Sequence, residues 1–134
     1  MLIRDTLERT SRHRAVEGAL FELVGRWAPG AGSPERTRAL AAQARHHAWR
    51  ATMWDAVVPV LHDVPAPEAD VEDLRFRLAS PTVAELTAVL EEVLAAYEAD
   101  LAGATEVSDA PVARVLRLVL LDARADLDAL RSLG

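Results

Sequence analysis

Apolar side chains recur at three- and four-residue spacing along most of the chain, and no stretch alternates with a period of two. Four long helices follow from that pattern. The first is expected from about Asp5 to Ala28, with Leu20, Leu23, Val24 and Trp27 on one stripe. Pro29-Gly30-Ala31-Gly32 ends it, because proline cannot continue the hydrogen-bond ladder and glycine accepts left-handed backbone. Ser33-Pro34-Glu35 opens the second with a hydroxyl cap, proline at the first helical position and an acid in the first turn. Its stripe reads Leu40, Trp54, Val58 and Leu61, with Pro59 expected to kink or end the helix. Ser80-Pro81 repeats the opening grammar for the third helix, expected to reach about Ala102 with Gly103 closing it and Leu86, Leu90, Val93, Leu94 and Tyr97 inward. Ser108-Asp109-Ala110-Pro111 opens the fourth, where Val112, Val115, Leu116, Val119, Ala123 and Leu130 line up.

The longest connection covers residues 63–80 and has room for a short helix over 71–78. At full extension a segment of that length reaches at most about 60 Å, whereas a helix of 25 residues is about 38 Å long. The connection is therefore long enough to travel the molecule and start helix three beside the beginning of helix two. Folded at one end, it would give an up-down-up-down order instead. The expected fold is all-α, a single four-helix bundle domain over residues 1–134.

Composition narrows the chemistry. With 51% hydrophobic residues in 134, the chain can bury a core without disulfides, and it has no cysteine to form one or to offer a thiolate ligand. A net charge of −6 argues against nucleic acid as a partner, since phosphate binding needs a concentrated basic surface. Every apolar run is broken by charge well short of a membrane span, so no membrane partner and a soluble cytoplasmic protein are expected. His62 follows Pro59 at a helix end, where a cation suits the dipole.

Phasing each helix at about 100° per residue places several polar side chains inside the apolar stripes. His13 and Glu17 share a face with Leu20 and Val24; Gln43, His47 and Arg50 share one with Trp54, and His46 lies at its edge. Helix three brings Tyr97, and helix four brings Asp122 and Asp126. Equal heights along the helices predict a cluster of His13, Glu17, Gln43, His47, Tyr97 and Asp122, with His46, Arg50 and Asp126 at its margins. Glu17, His46, His47 and Asp122 are the candidate metal ligands, while His13, Gln43, Arg50, Tyr97 and Asp126 complete a buried polar network. Trp49 and Met53 run down a second flank of helix two and are the candidate interface of a homodimer, Met53 being read slightly better as packing inside the bundle.

The arrangement resembles the ferritin-like superfamily of carboxylate-bridged di-iron bundles, in which two helices each give a Glu and two each give Glu-x-x-His. Glu17 matches the first-helix Glu, and Gln43-Ala44-Arg45-His46 stands in place of the second-helix motif with Gln for Glu. The third-helix Glu has no inward counterpart, its region being filled by Val93 and Tyr97. Asp122-x-x-Ala125 stands where the fourth-helix motif belongs and lacks its His. The resemblance implies a ferritin-like bundle with the crossover between helices two and three, and a degenerate metal motif. The favoured expectation is a non-catalytic binding or interaction protein with a buried polar network and no cofactor. The alternative is an iron-, manganese- or zinc-dependent oxidoreductase or hydrolase working through Glu17, His46 or His47, and Asp122.

Overall fold

The computed structural model describes residues 2–61, 63–65, 67–105 and 109–133. His62 and Ser108 lie outside the described residues. The order is α1 (Ile3–Trp27), a 3-10 turn at Ala28–Gly30, α2 (Pro34–Asp55), α3 (Glu72–Arg77), α4 (Val83–Gly103) and α5 (Ala110–Leu133). Among the described residues there is no β-strand, and an isolated antiparallel bridge joins Leu61 to Val64. No described helix is long and apolar enough to cross a membrane.

Several boundaries differ from the expected ones for local reasons. Ser33 caps α2, its Oγ accepting from the Arg36 amide at 3.1 Å. That helix stops at Asp55, so Val58 and Leu61 leave its stripe and the following connection is longer than residues 63–80. Pro59 accounts for this: its ring would clash with the carbonyl of Asp55, four residues earlier, and it steers Val58 away from helical backbone. The last turn instead tightens onto Trp54, whose carbonyl accepts from Val57 at 3.0 Å and Val58 at 3.1 Å. In α4 the cap is Thr82 rather than Ser80, and Pro81 stays outside the helix. Thr82 wins because Glu85 stands at the third helical position, and the Glu85 amide donates to Thr82 Oγ1 at 3.0 Å. Gly103 is the final residue of α4 rather than its stop, and the chain leaves in extended conformation at Ala104. Left-handed backbone is used at Gly32, with φ 98°.

Contacts between helices fix their directions. Arg14 meets Asp55 and Glu17 meets Arg50, so α1 and α2 are antiparallel. Arg124 meets Glu98 and Arg131 meets Glu91, so α4 and α5 are antiparallel too. Between the pairs, Arg50 on α2 reaches Asp122 and His46 reaches Asp126, while His13 on α1 reaches Asp100 and Glu17 reaches Tyr97. Hence α1 and α5 run one way and α2 and α4 the other. Residues 56–82 must carry the chain from one end of the molecule to the opposite one. On the way α3 lies over α1, with Arg75 near Glu22 and Leu78 buried.

The core joins Leu20 and Val24 of α1, Leu40 and Trp54 of α2, Leu86 and Leu90 of α4, and Leu116, Val119 and Leu130 of α5. Each such side chain contributes about 1.5–3 kcal/mol by leaving water. The polar cluster sits within that core, at mid-height of the long helices.

Candidate functional site

Arg50 is the centre of the cluster, not its margin. Its side chain is fully buried and donates from Nε to Glu17 Oε1 at 3.0 Å. From Nη1 it donates to Asp122 Oδ2 at 2.6 Å and to Asp126 Oδ2 at 2.8 Å. One guanidinium from α2 thus holds carboxylates from α1 and α5, using the planar fork that suits arginine to this task.

Glu17 is fully buried and fully engaged. Besides Arg50, its Oε1 accepts from the Tyr97 hydroxyl at 2.6 Å, and its Oε2 faces His47 Nδ1 at 2.7 Å. An ionised carboxylate only accepts, so His47 Nδ1 carries the proton in that bond. Arg50 Nη2, 2.9 Å from the same nitrogen, is then a contact between two donors rather than a hydrogen bond. Burial alone would push the Glu17 carboxyl up, but the charge and hydrogen bond of His47, the Arg50 guanidinium and the Tyr97 hydroxyl outweigh it and hold it below its ordinary value of 4.5. Burial and the Glu17 charge push the Tyr97 phenol well above its ordinary value of 10.0. It therefore stays protonated and donates, while its oxygen accepts from Trp54 Nε1 at 3.2 Å. Burial opposes the charge on Arg50, yet Glu17 and Asp126 raise its pKa further, so it is a permanent cation.

On the solvent side of Arg50, His46 Nδ1 lies 2.6 Å from Asp126 Oδ1. The His46 side chain is 45% exposed and that of Asp122 27%, whereas Asp126 is buried. Gln43 donates from Nε2 to the Asp126 carbonyl at 2.9 Å, and its Oε1, like His47 Nε2, is buried without a partner. His13 is drawn away from this cluster. Its Nε2 pairs with Asp100 Oδ2 at 2.6 Å, and its ring lies 4.6 Å from that of Trp54 and 4.9 Å from that of Tyr97.

Of the four candidate ligands, Glu17 and His47 pair with each other, and His46 and Asp122 lie across Arg50 from them. Among the described residues, His46, Asp122 and Asp126 are the group whose ligand atoms fall within 4.8 Å of one another. One nitrogen and two carboxylate oxygens suit zinc, iron or manganese. Their present geometry suits a proton and a guanidinium better. Two ligand atoms about 2.1 Å from a tetrahedral ion stand more than 3 Å apart, so a metal would have to open the 2.6 Å contact between His46 and Asp126 and displace Arg50 Nη1 from both carboxylates.

Asp100 is a functional-looking residue that the phasing missed. It lies seven residues past inward Val93, so its place on the stripe was the available signal. Burial pushes its carboxyl up, and the His13 and Arg9 interactions override this to hold it below its ordinary value of 3.8. On the outer flank, Trp49 is 43% exposed, and Leu118 and Leu121 of α5 are exposed as well, while Met53 is partly buried against the core.

The chain matches no protein-family model, no curated protein and no solved structure.

Proposed function

We propose that this chain is a ferritin-like four-helix bundle in which an arginine-centred ion network stands where a metal centre would be, and that it works as a non-catalytic cytoplasmic binding or interaction protein. One observation carries the reading: Arg50 donates simultaneously to Glu17, Asp122 and Asp126, so a fixed guanidinium supplies the positive charge that a metal would bring to three converging carboxylates. The parallel course of α2 and α4 supports the crossover topology. The exposure of Trp49 on α2 and of Leu118 and Leu121 on α5 supports a homodimer through these two helices.

Elemental analysis of untagged protein is expected to find iron, manganese and zinc far below one per chain. Arg50→Ala leaves three carboxylates without their cation, and its thermal stability is expected to rise with added zinc or manganese while that of the unaltered protein does not. Stoichiometric metal in the unaltered protein would favour the second reading, a metal-dependent oxidoreductase or hydrolase. The proximity of His46, Asp122 and Asp126 is the observation behind that reading.

A further inference from the structure

Apart from the Arg50 network, the molecule has a groove between α1 and α4 that the crossing segment walls in. Two cavities make it up. One, of about 510 Å³, is lined by Ser11, Arg12, His13, Ala96 and Asp100 together with Pro67 and Glu68 of the connection. The other, of about 350 Å³, is lined by Val16, Leu74, Val89, Val93 and Tyr97. Arg12, His13 and Ala96 line both, so the two adjoin. Their sizes fall in the range of roughly 300–1,000 Å³ in which small-molecule sites are found.

The first chamber is polar and has unmet hydrogen-bonding capacity. Thr6 and Thr10 on the same helix turn their hydroxyls back to the carbonyls of Leu2 and Thr6. Ser11 does not: it lines the cavity, and its Oγ is buried without a partner. Leaving a buried hydroxyl unsatisfied is costly, and a ligand that accepts its hydrogen bond removes the cost. Arg12 has no ion-pair or hydrogen-bond partner among the described residues and stands where the two chambers meet. The buried acid here is already neutralised, since Asp100 takes one bond from Arg9 and one from His13. Glu92 is likewise paired with Arg77. Glu8, Glu68 and Asp73 are exposed, where water and salt screen them. The second chamber is mainly apolar, with Val16, Leu74, Val89 and Val93.

We infer that the groove binds an amphipathic organic carboxylate, its head on Arg12 and the Ser11 hydroxyl and its apolar body among Val16, Leu74, Val89 and Val93. This rests on the binding-protein reading above and names the class of ligand. The site is separate from Arg50 but touches its network through Tyr97, which lines the groove and donates to Glu17.

Titration calorimetry with octanoate tests it, with octanol and octylammonium as controls. Octanoate is expected to bind saturably at one site and more tightly than either control. Arg12→Gln, at an exposed position, is expected to weaken octanoate by about tenfold, the worth of a charge-assisted bond, and Ser11→Ala by a smaller factor. Ala96→Phe fills the junction of the two chambers from an exposed helix position and is expected to abolish binding with an unchanged melting temperature. Absence of saturable octanoate binding, equal binding of octanol, tighter binding of octylammonium, or unchanged affinity in Arg12→Gln would each overturn the inference. Protein that carries stoichiometric metal yet binds octanoate overturns only the Arg50 reading. Metal-free protein that ignores octanoate overturns only this one.

Discussion

Glu17 shows how much a single buried carboxylate depends on its neighbours. Its pKa is depressed in the folded state, so its contribution to stability is complete above its ordinary value of 4.5 and is lost as pH falls through the lower folded value. Asp100 acts in the same direction from its ordinary value of 3.8. Acid denaturation is therefore expected to be steep below about pH 4.5, with the urea midpoint falling as both carboxylates take up protons. Glu17→Gln keeps the shape but removes the charge opposite Arg50 and His47, and is expected to cost about 3 kcal/mol at neutral pH, as breaking a buried pair does. It should also flatten the acid limb of the urea-midpoint profile, leaving the part due to Asp100. An acid limb of unchanged slope would show that Glu17 is not the group responsible. The phasing of α2 placed Arg50 inward, but nothing local in the sequence says that an arginine is central rather than marginal. That depends on Asp122 and Asp126, more than seventy residues away, arriving on either side of one guanidinium nitrogen.

For the helices, local signals competed, and the stronger hydrogen bond decided. Ser33-Pro34 and Ser80-Pro81 read alike, yet only the first opens a helix, because Thr82 and Glu85 offer a better cap one residue beyond Pro81. Thr82→Ala is expected to cost about 1 kcal/mol of stability and Ser80→Ala almost nothing, as urea denaturation of both variants would reveal. Equal losses would place the cap back at Ser80. The existence and faces of the long helices were readable because their apolar stripes are long and regular. The end of α2 was less so, since Val58 and Leu61 continue the stripe on paper although Pro59 makes the helix stop at Asp55. Ser11 was not among the positions that phasing singled out, and it is buried beside a cavity also lined by Pro67 and Glu68 of the connection.

Across the whole molecule, the proposed homodimer rests on exposed apolar side chains of α2 and α5. Trp49, Leu118 and Leu121 are exposed there, and Trp49 is 43% accessible. Trp49→Ser is expected to convert a dimer to monomers in light scattering while leaving the helical circular-dichroism signal intact. A dimer that survives the change would move the interface elsewhere.

The central ion cluster also governs how the two hairpins recognise each other. Glu17, His47 and Arg50 belong to the α1–α2 hairpin, whereas Tyr97, Asp122 and Asp126 belong to the α4–α5 hairpin. The first half carries the guanidinium, and the second brings two carboxylates that accept hydrogen bonds from it. Docked in a shifted register, the second half would bury acid without its cation, at a cost of several kcal/mol per charge. Apolar helix faces tolerate sliding by a turn; this cluster does not, so it sets the register at which the halves close.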